Sequence, residues 1–146
     1  LSGPLAGHYW VRRTPAACRD VCKLFSKGRD REIVRREALK LRWFPNSGPE
    51  GSPAIDLDWE WVKQVPGPRN IGELRLGSIG GHSNLRLIFF RGDESVRFLK
   101  QGANVQESLP MIWILKVFPK KANDFKTIEI SSFRLQRKTV IDEHYT

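Results

Sequence analysis

Apolar positions along the chain change their spacing several times, and each change marks a new element. His8 to Arg13 (HYWVRR) is short, aromatic and β-branched, which predicts a first strand stopping at Thr14-Pro15. Thr14 then suits a helix N-cap with Pro15 at the first helical position. Cys18, Val21, Cys22 and Phe25 follow at i, i+3, i+4 and i+7 before Gly28 closes the helix. Asp30 can cap a second helix in which Val34, Ala38 and Leu41 form the apolar stripe. Its other faces carry Arg31, Arg35, Arg36, Lys40 and Arg42, and Pro45 ends it.

Residues 46 to 53 (NSGPEGSP) read as a loop, and AIDLDWEWV after them as a short strand. Trp59 and Trp61, at period two, suit the core of a small sheet better than base stacking. Three clearer strands follow, Ile71 to Leu76, Leu85 to Arg91 and Met111 to Phe118, expected to form one antiparallel sheet. The stretch from 92 to 110 is long for a hairpin connection and is expected to be an insertion or an extra ribbon. Asn123 can cap a final helix through about Asp142, with Phe125, Ile128, Ser132 and Leu135 on one face. No repeat or linker divides the chain, so residues 1 to 146 are expected to form one domain, with residues 1 to 7 outside its ordered part.

Charge adds the first functional hint. The 25 Lys and Arg outnumber the 16 Asp and Glu, a formal charge of +9 that favours polyanionic partners. The excess is uneven: residues 12 to 42 hold 11 basic and 4 acidic side chains, residues 43 to 68 hold 1 and 4, and residues 69 to 146 hold 13 and 8. An acidic island thus separates two basic segments.

Cys18 and Cys22, four apart on a predicted helix, are poorly aimed for a disulfide, so two core thiols in a reduced, cytoplasmic protein are expected. The three histidines, His8, His82 and His144, have no zinc-type spacing, and neither a metal nor another cofactor is expected. Apolar runs are too short to span a bilayer and the N-terminus lacks a signal-peptide pattern, so no membrane partner is expected. GSIGG lacks the Lys-Ser/Thr partner of a phosphate-binding loop and opens no helix, and His82 beside it reads as an exposed turn histidine.

One strand, two helices, three strands and a terminal helix carry, in order, Glu73-Leu74-Arg75, then Arg86 with Leu87 to Phe90, then Phe118-Pro119-Lys120-Lys121. This order resembles the RelE/ParE toxin superfamily, and within it the HigB-like, phage-associated branch. It runs from Tyr9 to the end apart from 92 to 110, although ANDFKT after Lys121 departs from the branch's usual Thr- and Pro-containing turn. The resemblance implies an α+β fold of the microbial-ribonuclease type, β-α-α-β-β-β-α, with a twisted antiparallel sheet packed on one side by helices. It also implies the toxin of a type II toxin-antitoxin system, a ribosome-dependent endoribonuclease that cuts mRNA and inhibits translation. Its partners would be the ribosome, mRNA and a cognate antitoxin, either an acidic segment or a helix-turn-helix repressor.

In that reaction a 2′-hydroxyl attacks its own 3′-phosphate, so cations must sit where negative charge grows. Arg75 and Arg86, with planar forks of donors, suit the phosphate clamp, and Lys116, Lys120 and Lys121 suit RNA contact nearby. Arg35 and Arg36 on the helical hairpin offer a surface for RNA or antitoxin, or simply a solvated face. Proton transfer falls to His144 or Tyr145, with Asp142 and Glu143 in reserve. Two rival readings are a non-catalytic module of the same fold, binding nucleic acid, antitoxin or another protein, and a ParE-like gyrase poison.

Overall fold

Leu87, Ile88, Phe89 and Phe90 are consecutive apolar residues of one strand. Period-two alternation sends them to both faces of a sheet, so both faces need a cover. In the computed structural model, which describes residues 9–44, 62–92, 98–99, 106–107, 111–121 and 124–144, both faces have one. The elements are β1 (Trp10–Arg13), α1 (Pro15–Leu24), α2 (Gly28–Leu39), β2 (Val62–Gln64), β3 (Ile71–Ile79), β4 (His82–Arg91), β5 (Phe98–Leu99), β6 (Gln106–Glu107), β7 (Met111–Pro119) and α3 (Thr127–His144). A 3₁₀ turn, Lys40–Trp43, extends α2.

The five-stranded sheet has the order β1-β7-β4-β3-β2, and β5 and β6 form a separate two-stranded ribbon within the 92 to 110 stretch. The α+β class is as expected, but the sheet is mixed rather than antiparallel: β1 runs parallel to β7. That geometry follows from connection length, because strands that run the same way need a long crossover and here the whole chain between them supplies it. Helices cover both sides, not one. Ala17, Ala38 and Leu41, from α1, α2 and the 3₁₀ turn, pack on Leu87, Phe89, Ile112 and Ile114. Phe133 and Val140 of α3 pack on Ile88, Phe90, Trp113 and Leu115. The unbroken apolar run of β4 carried that information, since a sheet bare on one side would alternate with polar residues.

Local signals placed the start of the first helix well, but it ends at Leu24, and Gly28, expected to close it, opens the next helix. Thr14 caps α1 by accepting from Ala17 N–H at 3.2 Å, and Pro15 stands at the first position. The same hydroxyl donates to Ile114 O at 2.8 Å, fastening the helix start to β7. Thr14→Ala is therefore expected to cost about 1–3 kcal/mol, the sum of a lost cap and a buried carbonyl left bare. Thr14→Ser should retain most of the stability; urea denaturation of the three proteins measures both differences.

Elsewhere the boundaries move. The second helix starts at Gly28 with Lys27 as its cap residue, not at Asp30. The last starts at Thr127, where the Lys126 N–H donates to Glu129 Oε1 at 2.8 Å, a carboxylate reaching back to the helix cap. Asn123, the expected cap, and the two tryptophans Trp59 and Trp61 lie outside the described residues. The face of α3 also differs: Ile128 and Leu135 are 76% and 65% exposed, while Phe133 and Val140 are buried. Ile130, Phe133, Val140 and Ile141, which share one helical stripe, pack against the sheet instead.

β3 and β4 are joined by Gly80-Gly81, both at positive φ (57° and 83°), as a tight hairpin requires. A Cβ on Gly80 would also lie 2.8 Å from Asp30 Oδ2, so the tip abuts the start of α2. His82 is no exposed turn residue. Its Nε2 lies 2.8 Å from Leu24 O and its ring meets Phe25 edge-on at 5.5 Å, which satisfies a carbonyl orphaned at the end of α1. Cys18 is half-buried and Cys22 exposed, so the latter is not a core thiol; both are free. Among the described residues no helix is long and apolar enough to cross a membrane.

Candidate functional site

Strand alternation decides which charged side chains meet. On β3, Ile71 packs toward α3 and Leu74 toward the first two helices, so Glu73 and Arg75 both face the α3 side. On β4, Leu85 and Leu87 face the first two helices, which turns Arg86 to the α3 side as well. Arg75 and Arg86 are direct cross-strand partners.

On β7 unbroken alternation would send Lys116 and Phe118 the opposite way. The β4 register steps from Ile88↔Lys116 to Phe89↔Ile114, so Leu115 is an extra residue and the frame shifts by one. Val117 then faces the first two helices, and Phe118 and Lys116 face α3. The Val117 N–H beyond the bulge donates to Asp20 Oδ2 of α1 at 3.0 Å, which holds the shifted frame in place. Lys120, two residues beyond Phe118, joins the same side. Its backbone is tied to β4 by Lys120 N–H to Asn84 O at 2.9 Å and Asn84 Nδ2 to Lys120 O at 2.8 Å.

The result is a cluster on one sheet face. Glu73 Oε2 lies 3.3 Å from Arg86 Nε and 3.7 Å from Lys120 Nζ, with all three side chains largely buried. Lys120 Nζ also sits 4.1 Å from the centre of the Phe125 ring, a cation–π contact in a partly dry setting. Phe125, Phe118 and Phe133 pack against one another at 5.4 to 6.3 Å between ring centres and wall the cluster on its α3 side. The ionic contact is close in distance but poorly aligned: neither Glu73 Oε2 nor Arg86 Nε has a hydrogen-bond partner among the described residues. Among the described residues Arg86 Nη1 donates to the neighbouring Leu85 O, at 3.2 Å. A buried cation and anion thus keep unspent hydrogen-bonding capacity, which favours a further polar ligand. Arg75, exposed, stands directly opposite Arg86, a like-charge pairing that costs a sheet stability and that a bound anion would relieve.

Not every expected site residue converges there. Arg35 and Arg36 sit on α2, across the sheet from Arg86, and Arg35 pairs with Glu32 at 3.2 Å. Lys121 is exposed beyond the end of β7, and Tyr145 lies outside the described residues. His144 stacks on Trp113 at 4.6 Å between ring centres, with Arg12 over the same indole at 5.3 Å. Arg86 pairs with Phe118, five positions further along β7, so His144 and Arg86 are roughly 15 Å apart along the strand at the usual rise per residue. They cannot act on one phosphate. Among the described residues no group of three or more His, Cys, Asp or Glu could hold a metal ion.

Compared with protein-family models, curated proteins and solved structures, the chain finds no match. Its chemistry is therefore read from its own geometry.

Burial lowers the His144 pKa from its ordinary 6.5, the Arg12 guanidinium lowers it further, and Glu143 opposes both. The unfolded chain then takes up this proton more readily than the folded one, so stability rises with pH through that window. The contribution is complete above about pH 6.5 and is lost as pH falls below it toward the lower folded value. His144→Gln should flatten the difference between thermal melting points measured at about pH 5 and about pH 8. Arg137 is also shifted down, by burial and then by Arg134, while it donates to Arg69 O at 2.7 Å and ties α3 to the loop before β3.

Glu73 is the functional candidate that sequence reasoning passed over. Its signal was present, since Glu73 and Arg75 are two apart on a strand and must share a face. Phe125, expected only as a helix-face residue, had no such signal for its cation partner.

Proposed function

We propose that this chain is a ribosome-dependent mRNA endoribonuclease of the RelE/HigB type, the toxin of a toxin-antitoxin pair acting in the cytoplasm. The observation that carries this reading is a pair of cross-strand arginines, Arg75 and Arg86, beside a buried Glu73–Arg86–Lys120 cluster with unspent hydrogen-bonding capacity. An RNA phosphate laid across β3, β4 and the end of β7 meets two guanidinium forks and the ammonium of Lys120, with Lys116 further along the same face.

Glu73 takes the proton of the attacking 2′-hydroxyl, the role that the distance between Arg86 and His144 denies to His144. The 2′-oxygen bonds to phosphorus and the bond to the 5′-oxygen breaks, leaving a 2′,3′-cyclic phosphate. Lys120 supplies positive charge and a proton to the departing 5′-oxygen, and Glu73, 3.7 Å away, returns to Lys120 the proton it took from the 2′-hydroxyl. The reaction so written uses only side chains of this face. The ribosome's part is to hold the message extended, and a cognate antitoxin restrains the free protein.

A second reading, the non-catalytic module, is favoured by one fact: Arg86 and Lys120 already have Glu73 as an internal counter-charge. Primer extension on a translated message with purified ribosomes and protein separates the two. Discrete cuts within codons, dependent on translation, are expected of the nuclease. Intact message at a large protein excess, with binding retained, would select the binding module instead.

A further inference from the structure

Three arginines gather where α3 crosses the turn between β2 and β3, and among the described residues none of them forms an ion pair. The turn closes on itself: Val65 N–H donates to Ile71 O at 2.9 Å, and Gln64 Nε2 donates to Pro68 O at 2.8 Å. Pro66, Pro68 and the positive φ of Gly67 (101°) and Asn70 (61°) fix its course and leave Arg69 exposed. From α3, two side chains one helical turn apart reach it. Arg137 Nη1 donates to Arg69 O at 2.7 Å, and Arg134 Nη2 would stand 3.2 Å from a Cβ placed on Gly67. A glycine there lets one guanidinium rest against the backbone while the other is bonded to it.

Counter-charge is missing. The carboxylates of α3 are engaged elsewhere: Glu129 accepts from Lys126 N–H at 2.8 Å, Asp142 pairs with Lys138 at 3.1 Å and Glu143 lies 3.8 Å from His144. Burial and then Arg134 hold the Arg137 pKa below the usual arginine value, so the two guanidiniums feel each other. Like charges held together in this way cost stability, and an anion between them removes the cost. The bond to Arg69 O uses one of the five N–H donors of Arg137, which leaves planar donor forks for an oxyanion.

We infer that Arg69, Arg134 and Arg137 form a phosphate-binding site, separate from the one proposed for cleavage. Phosphate suits it better than a carboxylate, because tetrahedral oxygens can meet forks arriving from a helix and from a turn at once, whereas a carboxylate offers two oxygens in one plane. Strand register keeps the two sites apart: Ile71, at the turn, is four residues from Arg75, about 13 Å along β3. One phosphate cannot serve both. It belongs either to a nucleic-acid backbone or to a small phosphorylated ligand, and from either source it clamps α3 to the β2–β3 turn.

The test follows each arginine by itself. In isotope-labelled protein the Nε–Hε signals, assigned from single Arg→Lys variants, are titrated with inorganic pyrophosphate at constant ionic strength. Those of Arg69, Arg134 and Arg137 are expected to move along one saturating curve, while those of Arg31 and Arg35 on α2 stay nearly still. Arg134→Gln, at an exposed position, should weaken pyrophosphate binding at this site on the order of tenfold. Without ligand it should melt no lower than the parent protein, because a like charge has been removed. Arg137→Gln also loses the bond to the turn and should melt lower, so Arg134→Gln is the deciding variant.

A short RNA with 2′-O-methyl groups and no terminal phosphate, which cannot be cut, identifies the source. Displacement of pyrophosphate from Arg134 and Arg137 shows that the site takes a nucleic-acid backbone; pyrophosphate left in place shows that it takes a small phosphorylated ligand. Shifts that never saturate, equal shifts at Arg31 and Arg35, or unchanged affinity in Arg134→Gln each overturn the inference. Cutting of a translated message is read in a different assay, so either proposal can fail while the other stands.

Discussion

Arg86→Ala is expected to lower the rate of RNA cleavage by about 10²- to 10³-fold, the usual cost of removing one donor aimed at developing charge. It should also destabilise the fold, because Glu73 would be left largely buried with Lys120 at 3.7 Å as its one remaining cation in the cluster. Breaking a buried pair by removing one partner costs about 3–5 kcal/mol, and the residual Lys120 contact puts this case at the lower end. The double variant Arg86→Ala/Glu73→Gln isolates the stability effect, because it also removes the proposed base. It should regain part of the stability, since an amide is cheaper to bury than a carboxylate, while cleavage stays lost. Arg86→Lys should fold well and recover little activity, because an ammonium cannot replace the planar fork. Primer extension and urea midpoints on the same preparations give both quantities. A folded Arg86→Ala protein that cuts at the wild-type rate would remove Arg86 from the phosphate site.

Phe133→Ala is expected to have the largest effect on stability, about 3–5 kcal/mol, as an aromatic side chain with 0% exposure is deleted from the α3 side of the core. Phe133 and Val140 are the buried residues of α3 among those described, and Ile130 and Ile141 pack beside them as partly buried neighbours, so Phe133 is the largest anchor of this helix on the sheet. The melting temperature should fall by on the order of 10 °C. The consequence reaches the site, because Phe133 packs on Phe125 at 5.4 Å and Phe125 in turn carries Lys120 Nζ at 4.1 Å. RNA affinity should therefore drop even under conditions where the variant remains folded. Ile128→Ala and Leu135→Ala, at 76% and 65% exposure, are the matching controls and should change stability by no more than about 0.5 kcal/mol. A large loss at Leu135 with a small one at Phe133 would mean that α3 lies on its other face.

The contrast between those residues shows where pattern reading stops. Phe125, Ile128, Ser132 and Leu135 form an acceptable helical stripe, and so do Ile130, Phe133, Val140 and Ile141. A helix with apolar residues on two faces has no local feature that says which one is buried, and the α3 side of the sheet makes the choice. His82 is a similar case: next to two glycines it reads as a turn residue, and only the approach of α1 reveals the Leu24 carbonyl it meets.

Much of the frame was nonetheless written in the chain. Thr14-Pro15, the Gly80-Gly81 hairpin and the three apolar strands follow from short-range rules of capping, positive φ and alternation, which act within a few residues and so can be read locally. The cationic side chains Arg75, Arg86, Lys116 and Lys120 were also nameable as a set, because strand ends and basic residues are visible without coordinates. What tertiary structure alone decided is which of them meet. One extra residue at Leu115 shifts the β7 frame and brings Lys116 to the same side as Arg86, while the span of α3 carries His144 away from it. A bulge and a helix's landing point are set by long-range packing, and residues that far apart in sequence leave no joint signature in a single chain.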